Sequence, residues 1–291
     1  MKTIVSKFGG SSMADETAME RSAKIAHRQG SSIVLVSATY GTTDQLVELI
    51  QTAEYGNWNT CEKILFNIRE KHFDICNKVA SDQVVCEQLR LLINELETLA
   101  RGIFLLKECS PKARDQVLSF GERMSSLLFA RSFQKLFPET DTRLFDARTV
   151  MITDDNHTKA KPLLDAIAQK AKESFEFSPG RIYITQGFIG QTETGSTTTL
   201  GRGGSDYSAA LLAEAAGADV LEIWTDVAGI ASTDPRICKE AKSIQEISYD
   251  EASEMAQYGA KILHPTTLVP AMRKSIPVFV GSSYDGNAKG T

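Results

Sequence analysis

A glycine-rich stretch between an apolar run and an alanine-rich run constrains the fold of this chain more than any other feature. The stretch is 200–206, LGRGGSD, and it contains three glycines. An apolar run at 181–188 and a polar, threonine-rich segment precede it, and the alanine-rich run 207–216 follows it. The first run predicts a strand, and the second predicts a helix that Gly217 ends in the left-handed conformation. The pattern therefore indicates a strand, a loop and a helix in succession.

This glycine loop suits an anion, but it also suits an ordinary tight turn. Glycines let backbone N–H groups approach a ligand with no side chain in the way. We expect Ser205 or Asp206 to cap the helix by accepting hydrogen bonds from its first N–H groups. A helix N-terminus favours negative charge, and the guanidinium of Arg202 fits a carboxylate or a phosphate. An anion-binding loop and a strand-to-helix turn with a surface arginine both remain open on these residues alone.

The start of the chain predicts a strand, a helix and a second strand. Apolar residues at 3–8 run into Gly9 and Gly10, and a helical pattern follows at about 15–28. The run 32–37, SIVLVS, does not alternate, which is typical of a strand covered on both faces of a parallel sheet. Further strands are expected at 143–145, 150–152, 220–224 and 277–280. We therefore predict a parallel α/β fold.

Helical periodicity dominates the region after the second strand. Helical patterns cover 44–54, 61–79 and 82–101. Pro111 can begin a further helix. The residues FGER at 120–123 are expected to interrupt this helix, and the helical pattern resumes at 124–136. Pro162 can begin a helix in the same way. Apolar stripes in this region are usually packing surfaces, so we assign them no chemistry.

Composition and charge limit the classes of function. Of the 291 residues, 42% are hydrophobic and 24% are charged, which is ordinary for a globular protein. The net charge of −5 offers no basic excess to replace counterions, so we predict no nucleic-acid partner. No apolar run is long enough to span a bilayer, so we expect no membrane partner. The five cysteines form no C-x-x-C pair, which predicts free thiols and a cytoplasmic location.

Cations and carboxylates beside glycines or strand ends suggest phosphate chemistry. Lys7 precedes two glycines near a strand end, where it can reach a ligand or lie at a surface edge. The other candidates are Arg202, Arg236, Lys261, Glu122, Asp206, Asp226 and Asp234. The P-loop, dinucleotide, protein-kinase and serine-hydrolase motifs are absent. Phosphoryl transfer needs donors and cations around the transferring group, so this set favours a phosphate-handling enzyme over glycines that serve only folding.

Six segments in a fixed order are far more specific than any one of these features. They are KFGGSS at 7–12, TTTLGRGGSD at 197–206, WTDV at 224–227, TDPR at 233–236, GAK at 259–261 and HP at 264–265. Together they resemble the aspartate kinases of the amino-acid kinase superfamily. The resemblance covers both ends of the chain and is weak at about 55–111.

The resemblance implies an architecture for the whole of 1–291. The expected fold is a three-layer α/β/α sandwich with an open, mainly parallel central sheet. An N-terminal lobe at about 1–178 would lie on the aspartate side, with a helical insert at about 43–136. A C-terminal lobe at about 179–291 would lie on the ATP side.

The resemblance also implies a reaction and a set of site residues. Aspartate kinases use ATP to phosphorylate the β-carboxylate of L-aspartate, which opens lysine, threonine and methionine synthesis. The catalytic residues would be Lys7, Asp206 and Lys261. The substrate-binding residues would be Thr43, Glu122, Phe188, Arg202 and Ser205. The nucleotide-binding residues would be Lys7, Gly9, Gly10, Ser11, Thr225, Asp226, Asp234, Arg236 and Lys261.

The implied roles follow the charges of the two substrates. Lys7 and Lys261 would neutralise the phosphates, and Asp206 would orient Lys7. Arg202 would bind the α-carboxylate of aspartate, and Glu122 would bind its α-amino group. The β-carboxylate has an ordinary pKa near ~3.9, so it is already ionised and needs no general base. Mg²⁺ would arrive with ATP, and we assign it no protein ligand.

Three features depart from the pattern of the family. Ala231 stands where many members have an aromatic residue near the adenine, and 39–44, TYGTTD, differs from the usual Ser-Ala-x-Gly-x-Thr-Asn. Members usually continue into paired regulatory domains, and this sequence ends about where those would begin. The sequence is then either the catalytic part of a longer protein, which we favour, or a natural short form. The full-length protein is expected to be a homo-oligomer. A non-catalytic module that binds nucleotide or amino acid, and a kinase for another amino acid, remain as alternatives.

Overall fold

An open sheet with helices on both faces organises residues 2–79, 83–233, 238, 240–257, 265–286 and 289–291, which the computed structural model describes. The strands are β1 (Ile4–Phe8), β2 (Ile33–Val36), β3 (Asp141–Leu144), β4 (Ile152–Thr153), β5 (Arg181–Gln186), β6 (Ile189–Thr192), β7 (Thr197–Thr199), β8 (Val220–Thr225) and β9 (Val278–Ser282). The helices are α1 (Glu16–Gln29), α2 (Thr42–Glu54), α3 (Trp58–Val79), α4 (Gln83–Leu106), α5 (Pro111–Leu136), α6 (Leu164–Ser174), α7 (Gly204–Ala216), α8 (Tyr249–Gln257) and α9 (Pro265–Arg273).

The main sheet is parallel and has the order β3-β5-β2-β1-β8-β9. Strand β1 is central, with Lys7 opposite Leu35 of β2 and Ile223 of β8. The chain moves outward from β1 to β2 on one side and from β8 to β9 on the other. Ligands of open α/β sheets bind beyond the carboxyl ends of strands where the order reverses in this way. The topology therefore places a candidate site after Phe8 and Thr225.

Alternate side chains of the same strands enter two separate cores. Phe8 and Val36 pack with residues of α1 to α5 on one face of the sheet. Val5 and Leu35 pack with residues of α6, α7 and α9 on the other face. A strand buried on both faces has apolar residues at nearly every position, which explains why 32–37 shows no alternation. The predicted three-layer α/β/α sandwich with a mainly parallel sheet is confirmed.

Helix α5 runs from Pro111 to Leu136 without a break, so the predicted interruption at 120–123 is wrong. Gly121 in its middle serves close packing. A Cβ at this position would lie 2.8 Å from the Cβ of Ala38 and 3.4 Å from Cδ1 of Leu46. A glycine inside a helix costs about 1 kcal/mol relative to alanine, which the packing of a long buried helix offsets.

A second, three-stranded sheet occupies much of the segment predicted to be a polar loop. Strand β6 pairs antiparallel with β7 and parallel with β4. The threonines of β7 are buried, and the hydroxyl of Thr198 lies 2.8 Å from that of Thr153. Threonine is β-branched and suits a strand, and paired hydroxyls make its burial possible. The polarity of these residues therefore led to the wrong prediction of a loop where β7 lies. Strand β5 ends at Gln186 rather than at the predicted 188.

The ends of the helices follow the local sequence in most places. The carboxylate of Asp15 caps α1, and Gly30 ends that helix with a φ of 68°. Gly217 ends α7 with a φ of 60°, as predicted. Helix α6 begins at Leu164 rather than at Pro162, which was the predicted start.

Two predictions from composition concern thiols and membranes. None of the five cysteines is in a disulfide, as predicted. Within the part of the chain that the structure describes, no helix has the length and apolarity needed to cross a membrane.

Candidate functional site

Lys7 brings a buried positive charge to the carboxyl end of the central strand. The residue is 8% exposed, and its Nζ lies 2.6 Å from Oδ1 of Asp206 in the first turn of α7. A buried ammonium needs a charged partner, because the loss of water is otherwise uncompensated. The two groups form an ion pair, and no described group donates an aligned hydrogen bond to this oxygen. The pair therefore joins β1 to the start of α7.

Gly9 and Gly10 leave the space beyond Lys7 uncrowded. The N–H of Gly9 donates to the carbonyl of Trp224 at 3.1 Å, which holds the ends of β1 and β8 together. A Cβ at Gly9 would lie 3.7 Å from Nζ of Lys7, and one at Gly10 would lie 3.2 Å from the carbonyl of Ala38. Ser11 follows in a short 3-10 turn. Glycine thus keeps a path open along the backbone toward the ammonium.

The N-cap of α7 is not the predicted residue. Gly203 is the N-cap, with a φ of 72°, and no side chain caps the helix. The expectation that Ser205 or Asp206 does so is wrong, because both lie inside the first turn. Gly201 has a φ of 77°, so two left-handed glycines flank Arg202. The guanidinium is exposed and has no ion-pair partner within the described ranges.

Phe188 and Ser205 lie where the chain after β5 meets the start of α7. Phe188 has a φ of 68°, and its N–H donates to Oγ of Ser208 at 2.8 Å. A Cβ at Gly204 would lie 2.7 Å from Cδ2 of Phe188, and one at Gly187 would lie 2.9 Å from Cβ of Ser205. Any larger residue at either glycine would displace the glycine loop.

Glu122 is a buried carboxyl from the opposite helical layer. It is 4% exposed, and its Oε1 accepts a hydrogen bond from the N–H of Ala38 at 3.2 Å. Burial raises the pKa of Glu122 to about 8, and the Ala38 N–H and the Lys7 ammonium act in the opposite direction. A second cation beside this carboxyl would lower its pKa and ionise it. The group is therefore suited to receive the ammonium of a ligand.

Helix α3 supports the loop between β2 and α2. The Oγ1 of Thr39 lies 2.6 Å from that of Thr42 and 3.1 Å from Nε2 of His72. His72 donates through Nδ1 to the carbonyl of Ile68 at 2.7 Å, so its Nε2 accepts from Thr39. Burial lowers the pKa of His72 to about 4, which keeps the ring neutral. This network leaves Thr43 exposed in the first turn of α2.

Asp115 is a further buried acid that the sequence patterns did not single out. Its carboxylate accepts from the Thr158 N–H at 2.9 Å, the Thr199 hydroxyl at 2.5 Å and Nδ1 of His157 at 2.8 Å. A Cβ at Gly201 would lie 3.2 Å from the carbonyl of Thr158. Asp115 thus ties α5 to two segments beside the glycine loop. Its position two helical turns before Glu122, on one helix face, was the available signal.

Thr225 and Asp226 lie at the carboxyl end of β8, next to β1. The hydroxyl of Thr225 donates to Oδ1 of Asp226 at 3.0 Å, and the Ser283 N–H donates to the Thr225 carbonyl at 2.8 Å. The predicted residues Asp234, Arg236 and Lys261 lie outside the described residues. The structure therefore brings one part of the predicted nucleotide set to the same sheet edge as Lys7.

Comparison with known proteins identifies the family. The amino acid kinase family model matches residues 2–282, and the chain belongs to this family. The chain is 46% identical to the lysine-sensitive aspartokinase 3 of Escherichia coli (strain K12) over 291 residues. That alignment covers 99% of this chain and 63% of the relative, so the chain spans less than two thirds of that protein.

Two solved structures share the fold over the whole chain. E. coli aspartokinase III in complex with aspartate and ADP, in the R-state, has a TM-score of 0.90 and 45% identity. The same aspartokinase in complex with lysine and aspartate, in the T-state, has a TM-score of 0.91 and 44% identity. Each match covers 100% of this chain and 64% of the solved chain.

Proposed function

We propose that this chain is the catalytic part of an aspartate kinase. It would transfer the γ-phosphoryl group of ATP to the β-carboxylate of L-aspartate and produce 4-phospho-L-aspartate and ADP. The strongest support is the Lys7–Asp206 pair at the carboxyl end of the central strand, within electrostatic reach of Glu122. The E. coli relative, which forms a complex with aspartate and ADP, supports aspartate as one substrate and an adenine nucleotide as the other ligand.

The amino acid would bind between the glycine loop and α5. Arg202 would receive the α-carboxylate through its planar guanidinium, and Glu122 would receive the α-ammonium. Two opposite charges at these positions would orient the side chain of aspartate toward Lys7. Phe188, Ser205 and Thr43 would line the remaining pocket.

The phosphates would bind at the carboxyl ends of β1 and β8. The barrier to transfer includes repulsion between an anionic nucleophile and an anionic triphosphate, and fixed cations lower it. Lys7 would provide one such cation, oriented by Asp206, and Lys261 would provide the second. The backbone N–H groups of 9–11 would approach the phosphate oxygens, as glycines permit.

Mg²⁺ would supply further positive charge at the phosphates. This ion keeps several waters and binds largely through substrate phosphates, so it can arrive with ATP. We assign it no protein ligand. The described residues contain no group of three His, Cys, Asp or Glu side chains arranged to hold a metal.

The nucleotide would extend from this point over the C-terminal part of the chain. Thr225, Asp226, Asp234 and Arg236 would contact it, with 179–291 as the ATP side and 1–178 as the aspartate side. The product would feed lysine, threonine and methionine synthesis in the cytoplasm. The full-length protein would assemble as a homo-oligomer.

Aspartate-dependent release of ADP is the direct test. Purified protein with MgATP should release ADP when L-aspartate is added, and hydroxylamine should trap the acyl phosphate as a hydroxamate. Release with L-glutamate but not with L-aspartate would assign the chain to another amino-acid substrate. Saturable ATP binding without turnover on either amino acid would favour the non-catalytic module.

A further inference from the structure

Two thiols face each other where helices α3 and α4 meet. Cys76 is buried in the last turn of α3, and Cys86 is half-buried in the first turn of α4. Their Sγ atoms lie 2.7 Å apart. By contrast, the thiols of Cys109 and Cys238 donate to oxygen atoms. The 76–86 pair therefore differs from these two thiols in having a second sulfur as its neighbour.

Apolar packing holds these two sulfurs together. Ile75 and Val79 of α3 and Val85 and Leu89 of α4 are all buried in the same core. Folding has therefore already brought Cys76 and Cys86 together, so a bond between their sulfurs needs little further loss of entropy. A disulfide bond is about 2.05 Å long, so the sulfurs need to move by only about 0.7 Å.

We propose that Cys76 and Cys86 form a reversible disulfide in the presence of glutathione disulfide. The thiolate of the half-buried Cys86 attacks one sulfur of glutathione disulfide, forms a mixed disulfide and releases one glutathione thiolate. The thiolate of the buried Cys76 then attacks the Cys86 sulfur and displaces the second glutathione. The protein gives up two protons and two electrons, and one glutathione disulfide becomes two glutathione molecules.

The link would reinforce the end of the helix that supports the β2–α2 loop. His72 precedes Cys76 by one helical turn of α3 and accepts the hydrogen bond from Thr39. A disulfide across 76–86 restricts the unfolded chain and opposes opening of this helix end. We expect the thermal midpoint of unfolding to rise by roughly 5 °C in the linked protein. The proposal does not depend on the kinase activity.

The test uses the whole chain in buffers of increasing ratio of glutathione disulfide to glutathione. After alkylation and digestion without reduction, trypsin cleaves at Lys78, between the two cysteines, so the link appears as two joined peptides. We expect loss of two of the five thiols and full reversal by dithiothreitol. The matched control Cys61→Ser should retain the link. Cys76→Ser should lose it and accumulate glutathione on Cys86.

Three results would overturn the proposal. The first is that all five thiols stay unreacted at a ratio of glutathione disulfide to glutathione that oxidises a small dithiol peptide in the same buffer. The second is a mixed disulfide on Cys86 that persists in the natural sequence, because Cys76 should displace it. The third is a link between other cysteines in place of 76–86. A linked protein with an unchanged thermal midpoint would contradict the stabilising role.

Discussion

The two helical layers bring carboxyl groups to the candidate site in different electrostatic states. From α7, Asp206 lies 2.6 Å from the ammonium of Lys7. From α5, Glu122 accepts a hydrogen bond from a neutral N–H, and burial raises its pKa to about 8. The carboxylate of Asp206 is thus paired with a cation of the protein itself. The carboxyl of Glu122 becomes fully charged when a cation of a ligand approaches it. Under the proposed function, the Lys7–Asp206 ion pair would serve the phosphates of ATP, and the charge that Glu122 gains would serve the amino acid.

Removing the Lys7–Asp206 ion pair should have the largest effect. Lys7→Ala should lower kcat by about 10³-fold or more, because a preorganised cation beside the transferring group is lost. The aspartate-dependent ADP assay measures this, and circular dichroism checks that the fold survives. Lys170→Ala, at an exposed lysine paired with Glu173 on α6, is the matched control and should retain full turnover. Near-normal turnover of a folded Lys7→Ala protein would remove the assigned role.

Removing the charge of Glu122 should act on substrate binding rather than on the transfer step. Glu122→Gln should raise KM for aspartate by about tenfold or more, since a charge-assisted hydrogen bond to the α-ammonium is lost. KM for ATP should change little. KM for aspartate should also fall as pH rises from 7 toward 8 in the natural protein, because Glu122 loses its proton near pH 8. A pH profile unchanged by Glu122→Gln would contradict this assignment.

Loosening the glycine loop from α5 should have a smaller effect. Asp115→Asn should raise KM for aspartate by about fivefold, which corresponds to about 1 kcal/mol for a weakened buried hydrogen-bond network. The KM for ATP should stay the same, because the network lies beside the loop that carries Arg202. Glu222→Gln is the control: this buried carboxyl of β8 accepts from Ser6 and Trp224 and not from the loop. Equal effects of both variants on both KM values would indicate a general loss of stability.

The stability of the fold should also depend on pH, and this can be measured without any substrate. The folded pKa of Glu122 is about 8 against an ordinary 4.5, so the folded state binds this proton more tightly. The unfolding free energy of the natural protein therefore falls as pH rises from 4.5 to 8. Glu122→Gln has no proton to lose. Its thermal midpoint relative to the natural protein should therefore be higher at pH 8.5 than at pH 5, by a few degrees. A difference independent of pH would argue against a buried, protonated Glu122.

Some of these residues could be found from the sequence, and others could not. Lys7 and the loop around Arg202 stood out because glycines flank them and because their motifs resemble a known family. Asp115 did not, since a helical pattern shows only that it shares a helix face with Glu122. It does not show that the Asp115 carboxylate meets Thr158 and Thr199 from distant segments. Ser205 and Asp206 were expected to cap α7. The position of the cap depends on which glycine takes a positive φ, and Gly203 does so here.

The sequence by itself determined the parallel α/β class, since unbroken apolar strands and periodic helices leave few other ways to bury both faces of a sheet. It also placed Lys7 before two glycines and Arg202 between two others. Only the tertiary structure decided how the acids are used. Asp206 meets a lysine 199 positions away in the chain, while Glu122 meets a backbone N–H in an apolar layer. Contacts between distant segments set the local dielectric and the nearest charge, and these decide whether a buried carboxyl keeps its proton.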